Sequence, residues 1–269
     1  MFSHGTLDAV RLSMRKTLLT ALAGLFLILL PASKVMAAPF EMDWTGVGNG
    51  AWATFSLAGD PLGTPFSDFV GEIKWNWIGT APTGFTAANP IYAYCVDATQ
   101  YLNDPEWVAV TSTDNLTGAS QSFNNVVAAG GPDAGKKIAY LLDQNYAAAR
   151  ADTTGIDAAA LQIAVWETLY DATSDLSGGT FQLVNSSAYS PSASFAQISA
   201  QANSDLAGLG SSGNAYLASH DTFLDTGSGQ DQVVTGSPVP EPSSLILLGS
   251  GVIAVVRRRR RHLGAASAA

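Results

Sequence analysis

Two side chains stand out for their chemistry, a lone thiol and an awkwardly placed amide. Cys95 is the single cysteine of the 269-residue chain. Its surroundings, Ile91 to Asp97, alternate with the strand period of two, which sets Cys95 with Ile91 and Ala93 on the smaller, buried face. Such a thiol has no partner for an internal disulfide. It can be an inert small hydrophobe, one half of an intermolecular disulfide, or a nucleophile, and the last normally wants a histidine base nearby. Gln162 lies in DAAALQIAVWETLYD, Asp157 to Asp171. There Ala158, Leu161, Val165 and Leu169 recur at helical spacing, while Ile163, Trp166 and Tyr170 form a second stripe. A helix apolar nearly all round must be buried. An unpaired buried amide costs roughly 2–7 kcal/mol, so the Gln162 carboxamide must be hydrogen-bonded or chemically changed.

Other reactive groups are sparse. Between Ala38 and Pro242 the single histidine is His220, which in its polar context reads as a surface residue. The chain has no GxSxG elbow, phosphate-binding loop, HExxH or CxxC. Asp97, Asp104 and Glu106 could serve a glycosidase or bind calcium, but an acidic solvated surface explains them more simply. No catalytic residue, metal ligand or cofactor is assigned, and the chain reads as a non-enzyme.

The elements that must position Cys95 and Gln162 are strands followed by helices. WATFSL (Trp52 to Leu57), IKWNWI (Ile73 to Ile78) and IYAYCVD (Ile91 to Asp97) are strand-like, and WVAVT (Trp107 to Thr111) is expected to pair with the last of these. Ser112 to Pro132 reads as loop. Asp133 is placed to cap a helix whose face is Ile138, Leu141 and Leu142, with Lys136 and Lys137 opposite. Tyr146 to Gly155 is then a link, and Asp157 the N-cap of the next helix. A strand at Phe181 to Val184 follows, then a helix starting at Ser190-Pro191 and running to Gly208. Short strands are expected at Ala215 to Leu217 and Gln232 to Val234. The fold class is α+β, a β-sandwich or barrel-like core carrying an inserted helical layer.

Both ends are of another kind. Arg15 and Lys16 precede an apolar run, Thr17 to Leu30, and Val35-Met36-Ala37 supplies small residues for cleavage after Ala37 or Ala38. Residues 1–37 are thus a secretory signal peptide for signal peptidase, with Met14 a candidate true start. At the other end Pro240, Glu241 and Pro242 lead into the uncharged stretch Ser243 to Val256, followed by Arg257, Arg258, Arg259, Arg260 and Arg261. This layout over 237–264 resembles the PEP-CTERM sorting signal of Gram-negative bacteria. The resemblance implies recognition by an exosortase, a short transmembrane helix that associates with the membrane only transiently through 243–256, and a mature protein at the surface or outside the cell.

Without its ends the chain is strongly acidic. From Ala38 to Pro242 stand four basic residues, Lys74, Lys136, Lys137 and Arg150, against 21 acidic ones (the 22 of the chain less Asp8), a formal charge of −17. Such a surface argues against nucleic acid and anionic lipid as partners. Residues 38–236 are long enough for one good core.

YCVD (Tyr94 to Asp97) and LQIAVW (Leu161 to Trp166) together resemble the two signatures of bacterial thioester domains. Over 91–171 the resemblance implies that Cys95 supplies the thiol and Gln162 the acyl group of an internal thioester, with Tyr94, Leu161, Ala164 and Trp166 as supporting motif positions. The thiolate would attack the amide carbon and release ammonia, leaving an electrophile for an amine or hydroxyl on a partner surface. Two functions stay open: a surface adhesin that binds covalently through this bond, or a non-reactive structural or calcium-dependent component of an exopolysaccharide or biofilm matrix in which Gln162 only hydrogen-bonds a strand backbone. An extracellular hydrolase is a distant third.

Overall fold

The computed structural model describes residues 40–59, 65–82, 90–98, 100–116, 128–186, 193–211, 216, 221–227 and 229–235. The expected signal peptide, the sorting tail and His220 lie outside these residues. The described chain is α+β: β1 (Phe40–Leu57), β2 (Phe66–Ile78), β3 (Ile91–Cys95), β4 (Glu106–Ser112), α1 (Ala134–Ala151), α2 (Ile156–Tyr170), β5 (Phe181–Val184), α3 (Phe195–Ser211), β6 (Thr222–Asp225) and β7 (Gln232–Val234).

All strand pairings are antiparallel, in the order β2-β3-β7-β6-β4-β1-β5. A further pairing of β1 with β2 joins the two ends of the six-strand run, so the ladder forms a circuit with β5 attached to the far end of β1. The long β1 makes this possible. It runs beside β2 from Glu41 to Phe55 and lays Phe40–Met42 against β4 as well. Its register shifts twice, between Trp44 and Gly46 and between Val47 and Gly50, and such bulges bend a strand.

The helices form the second layer, and α2 is its centre. It packs between α1 and α3 and touches β1, β2, β3 and β5. Every residue from Ala158 to Tyr170 is buried, as a helix without a polar face requires. Trp166 anchors it to the sheet, its ring 4.8 Å from that of Phe55 and 5.9 Å from that of Phe181.

The start of α2 departs from the sequence expectation. Its N-cap is Gly155, in the left-handed region at φ 81°, and Asp157 lies in the first turn. The reason is tertiary: a Cβ at position 155 would come within 2.0 Å of the Gly50 carbonyl oxygen, so only glycine fits where the helix meets the β1 bulge. Capping falls instead to Asp152, whose carboxylate accepts from the backbone N–H groups of Thr154 and Asp157. The expected link from Tyr146 shrinks, because α1 continues to Ala151. Its last turn is held by Asn49, whose side-chain amide donates to the carbonyls of Ala149 and Arg150. Arg150 in turn reaches Glu72 at 2.6 Å, and its guanidinium lies 3.3 Å from the centre of the Tyr92 ring. The buried Glu72 also accepts from the Asn49 N–H, so one carboxylate ties β1, β2 and the end of α1 together.

Other corrections follow from long-range pairing. WVAVT does not pair with β3; β4 lies between β1 and β6, and β3 lies between β2 and β7. The strand TFLD, β6, had no sequence expectation. The start of α3 at Ser190-Pro191 falls outside the described residues, and the helix begins at Phe195 after a reciprocal cap. There the Ser194 N–H donates to the Gln197 side chain and the Gln197 N–H to the Ser194 hydroxyl. Of Ala215 to Leu217 only Tyr216 is described, and it is not in a strand. No helix among the described residues is long and apolar enough to cross a membrane.

Candidate functional site

The two residues singled out for chemistry meet, and they meet through the backbone of one of them. Cys95 is the last residue of β3. On one edge this end of the strand pairs with β7, with Tyr94 opposite Val233 and Cys95 opposite Gln232, and the Val96 N–H donates to the Asp231 carbonyl. On the other edge the β2 ladder has ended at Ala93. The N–H and C=O of Cys95 are therefore without a strand partner on that side, and the Gln162 carboxamide supplies one. The Cys95 N–H donates to Gln162 Oε1 at 2.8 Å, and Gln162 Nε2 donates to the Cys95 carbonyl at 2.7 Å. One side chain thus completes the pairing that a neighbouring strand residue would have made. Two turns further along α2, the Tyr170 hydroxyl accepts from the Ala98 N–H, so the same helix face holds the chain from Cys95 to Ala98.

The thiol itself goes elsewhere. Cys95 Sγ donates to Gln230 Oε1 at 2.9 Å, and Gln230 Nε2 donates to the Asp97 carbonyl at 2.7 Å. Gln230 lies in the Gly-containing turn before β7, and sequence reasoning missed it. A carboxamide in a turn carries no periodic signal. Two carboxamides therefore flank Cys95, Gln162 on its peptide group and Gln230 on its sulfur. Burial pushes the thiol well above its ordinary pKa, and the charges of Asp97 and Asp68 push the same way, so the resting group is the protonated thiol.

The motif residues around the pair are structural supports. Tyr94, Leu161 and Ala164 are fully buried, Trp166 nearly so, and Tyr94 stands edge-on to Tyr146 at 6.4 Å. The three carboxylates considered for hydrolysis or calcium have separate duties. Asp97 Oδ2 accepts from the Asp231 N–H, Glu106 accepts from the Asn103 N–H, and Asp104 accepts from the Trp44 N–H. Among the described residues no group of three or more His, Cys, Asp or Glu side chains is placed to hold a metal ion.

Two buried carboxyls flank this region, and they make stability depend on pH. Burial, with the nearby Asp231 charge, pushes Asp97 up to about 8, and burial does the same for Glu167 on α2 despite its bond from the Asp175 N–H. Their ordinary values are 3.8 and 4.5. Between those values and about 8 the folded protein holds protons that the unfolded chain gives up. Stability is greatest at the acid end of that window and falls as pH rises through it. Urea denaturation should accordingly show a lower midpoint at about pH 9 than at about pH 5. A midpoint that stays level or rises contradicts the assignment.

Comparison with known proteins bears on the C-terminal end. Residues 238–261 match the PEP-CTERM protein-sorting motif. That match indicates an exported protein sorted by an exosortase, with a surface or extracellular destination in a Gram-negative bacterium. No curated protein and no solved structure matches the chain.

Proposed function

We propose that the exported domain is an adhesin-like surface module in which Cys95 and Gln162 form an internal thioester that binds partner surfaces covalently. The observation that carries this reading is the pair of hydrogen bonds that fix the Gln162 carboxamide on Cys95, the residue bearing the thiol. These bonds hold the peptide group of Cys95 and not its sulfur, so the intramolecular acyl transfer requires the thiol to turn from Gln230 Oε1 to the Gln162 acyl carbon. The Cys95 N–H already donates to Oε1, the oxygen on which negative charge develops when sulfur adds to the amide carbon, so the donor is preorganised where an oxyanion needs it. The step balances: an S–C bond forms, the C–N bond breaks, and the thiol proton leaves with nitrogen as ammonia. Export places the bond outside the cell, where amines or hydroxyls of a partner surface could open it.

A second reading has its own support. The same two hydrogen bonds give both the oxygen and the nitrogen of the carboxamide a partner, and burial keeps the thiol protonated, which suits a non-reactive matrix protein whose Gln162 replaces a missing strand partner. Labelling separates the two. Incubated with a fluorescent primary amine under denaturing-gel readout, the native protein should take up label in stoichiometric amount, and Cys95→Ala should take up none while keeping its circular-dichroism spectrum. Absence of label on the native protein supports the structural reading.

A further inference from the structure

We infer that the outer face of β1, β2 and β4 around Trp107 is a binding surface for an amine-bearing polysaccharide. The inference is independent of the thioester reading. Cross-strand pairing defines the face: Glu41 of β1 lies opposite both Trp107 of β4 and Ile78 of β2, so these three side chains form one row. Their neighbours along the strands, Met42, Val108 and Trp77, are buried on the inner face, while Trp107 and Ile78 are 52% and 45% exposed. Asp43, two positions on from Glu41, is exposed on the same side, and Asp225 of β6 joins it through its pairing with Ala109. Among the described residues Glu41, Asp43 and Asp225 are in no ion pair, and Lys74 is the one basic residue of the four strands, four positions from Ile78.

Exposed large apolar side chains are not scattered over the protein. Among the described residues they are Trp44, Val47, Trp52, Ile78, Tyr101 and Trp107, all on β1, on β2 and β4 beside it, or in the loop before β4, and none on a helix. Such a concentration marks a contact surface. The carboxylates between the rings say what it meets. A protein partner needs a contiguous dry core with polar groups at its rim, and here Glu41 and Asp43 interrupt the apolar residues. Anionic lipid and nucleic acid are repelled by a domain of formal charge −17 from Ala38 to Pro242. A chain of amino sugars satisfies both features. Each sugar ring presents an apolar C–H face to an indole and an ammonium to a carboxylate, and an ammonium is itself attracted to the face of an indole. The extended β1 offers these contacts at intervals along its length, as a linear polymer requires.

Calorimetric titration of the processed protein with a short glucosamine oligomer, in its ammonium form at about pH 6, is the direct test. Trp107→Ala should weaken binding about tenfold and Glu41→Gln about threefold, both with urea midpoints close to native, because neither side chain is buried. Asp143→Asn, on the exposed side of α1, removes the same charge and should leave binding unchanged. The N-acetylated oligomer keeps the sugar rings, loses the ammonium groups and should bind at least about tenfold more weakly than the glucosamine oligomer. Failure of the glucosamine oligomer to bind, equal losses in Glu41→Gln and Asp143→Asn, or equally tight binding of the N-acetylated oligomer overturns the inference. An oligolysine of matching charge that binds as tightly and loses as much in Trp107→Ala identifies a basic protein as the partner and overturns it as well. So does light scattering that finds a dimer of the native protein and a monomer of Trp107→Ala, which assigns the face to a second copy of the chain.

Discussion

Gln162→Ala is expected to cost the protein whose carboxamide is intact much of its fold stability and, under the thioester proposal, to prevent the bond from forming at all. The truncation strands the N–H and C=O of Cys95, two backbone groups that β2 no longer reaches and that only the carboxamide now satisfies on that edge. Each orphaned buried group costs about 1–3 kcal/mol, and the emptied side-chain volume adds to that, so the loss should be about 3–6 kcal/mol. Measured by urea denaturation, this is a large share of the stability of a domain of ordinary size. Cys95→Ala, by contrast, keeps the backbone that Gln162 clamps and removes only the thiol, so its loss should be far smaller. The pair of variants is informative because the thioester proposal expects amine labelling of neither, while stability collapses in one. Equal, small losses would mean that the carboxamide is not the strand partner described here.

Trp166→Ala should be comparably severe for a different reason. The indole sits in an aromatic cluster in which Phe55 also approaches Phe66 at 4.4 Å and Phe181 at 5.7 Å. These rings come from β1, β2, β5 and α2, so the cavity opens where the helix is seated on the sheet. Removing a buried tryptophan costs about 3–5 kcal/mol. It also unseats the turn of α2 that follows Gln162, and under the thioester proposal the amine labelling of any protein that remains folded should fall with it. Thermal unfolding with a loss below about 1 kcal/mol would contradict this placement of the ring.

What could be read in the sequence was whatever a local period encodes. The burial of α2 on all sides followed from Ala158, Leu161, Ile163, Val165, Trp166, Leu169 and Tyr170, and β3 from the alternation around Tyr94 and Cys95. The approach of Cys95 to Gln162, 67 positions apart, came from the two motifs and not from any period. Features set by distant segments were illegible. Gly155 caps α2 because Gly50 arrives there, and nothing within the helix says so. The neighbours of β4 are fixed by the circuit of pairings, in which the expected partner β3 is occupied by β2 and β7. Gln230 belongs to the same class: it matters only because β7 returns beside β3 and carries the preceding turn to the thiol.

The sorting signal was the most legible part, since Pro-Glu-Pro, an apolar stretch and an arginine cluster are contiguous and need no folding to be recognised. It also gives the Cys95–Gln162 pair its setting. The proposed reactive module and the non-reactive alternative differ by one covalent bond.

That bond is open to direct weighing. Intact-mass measurement of the mature protein, purified without added amines or oxidants and analysed alongside thiol titration after denaturation, tests it most directly. The thioester account predicts a mass lower than the sequence value by one ammonia and no titratable thiol at Cys95 until an amine or hydroxide has opened the bond. A mass at the full sequence value, with one free thiol, would contradict it and leave Gln162 as the strand partner of Cys95 alone.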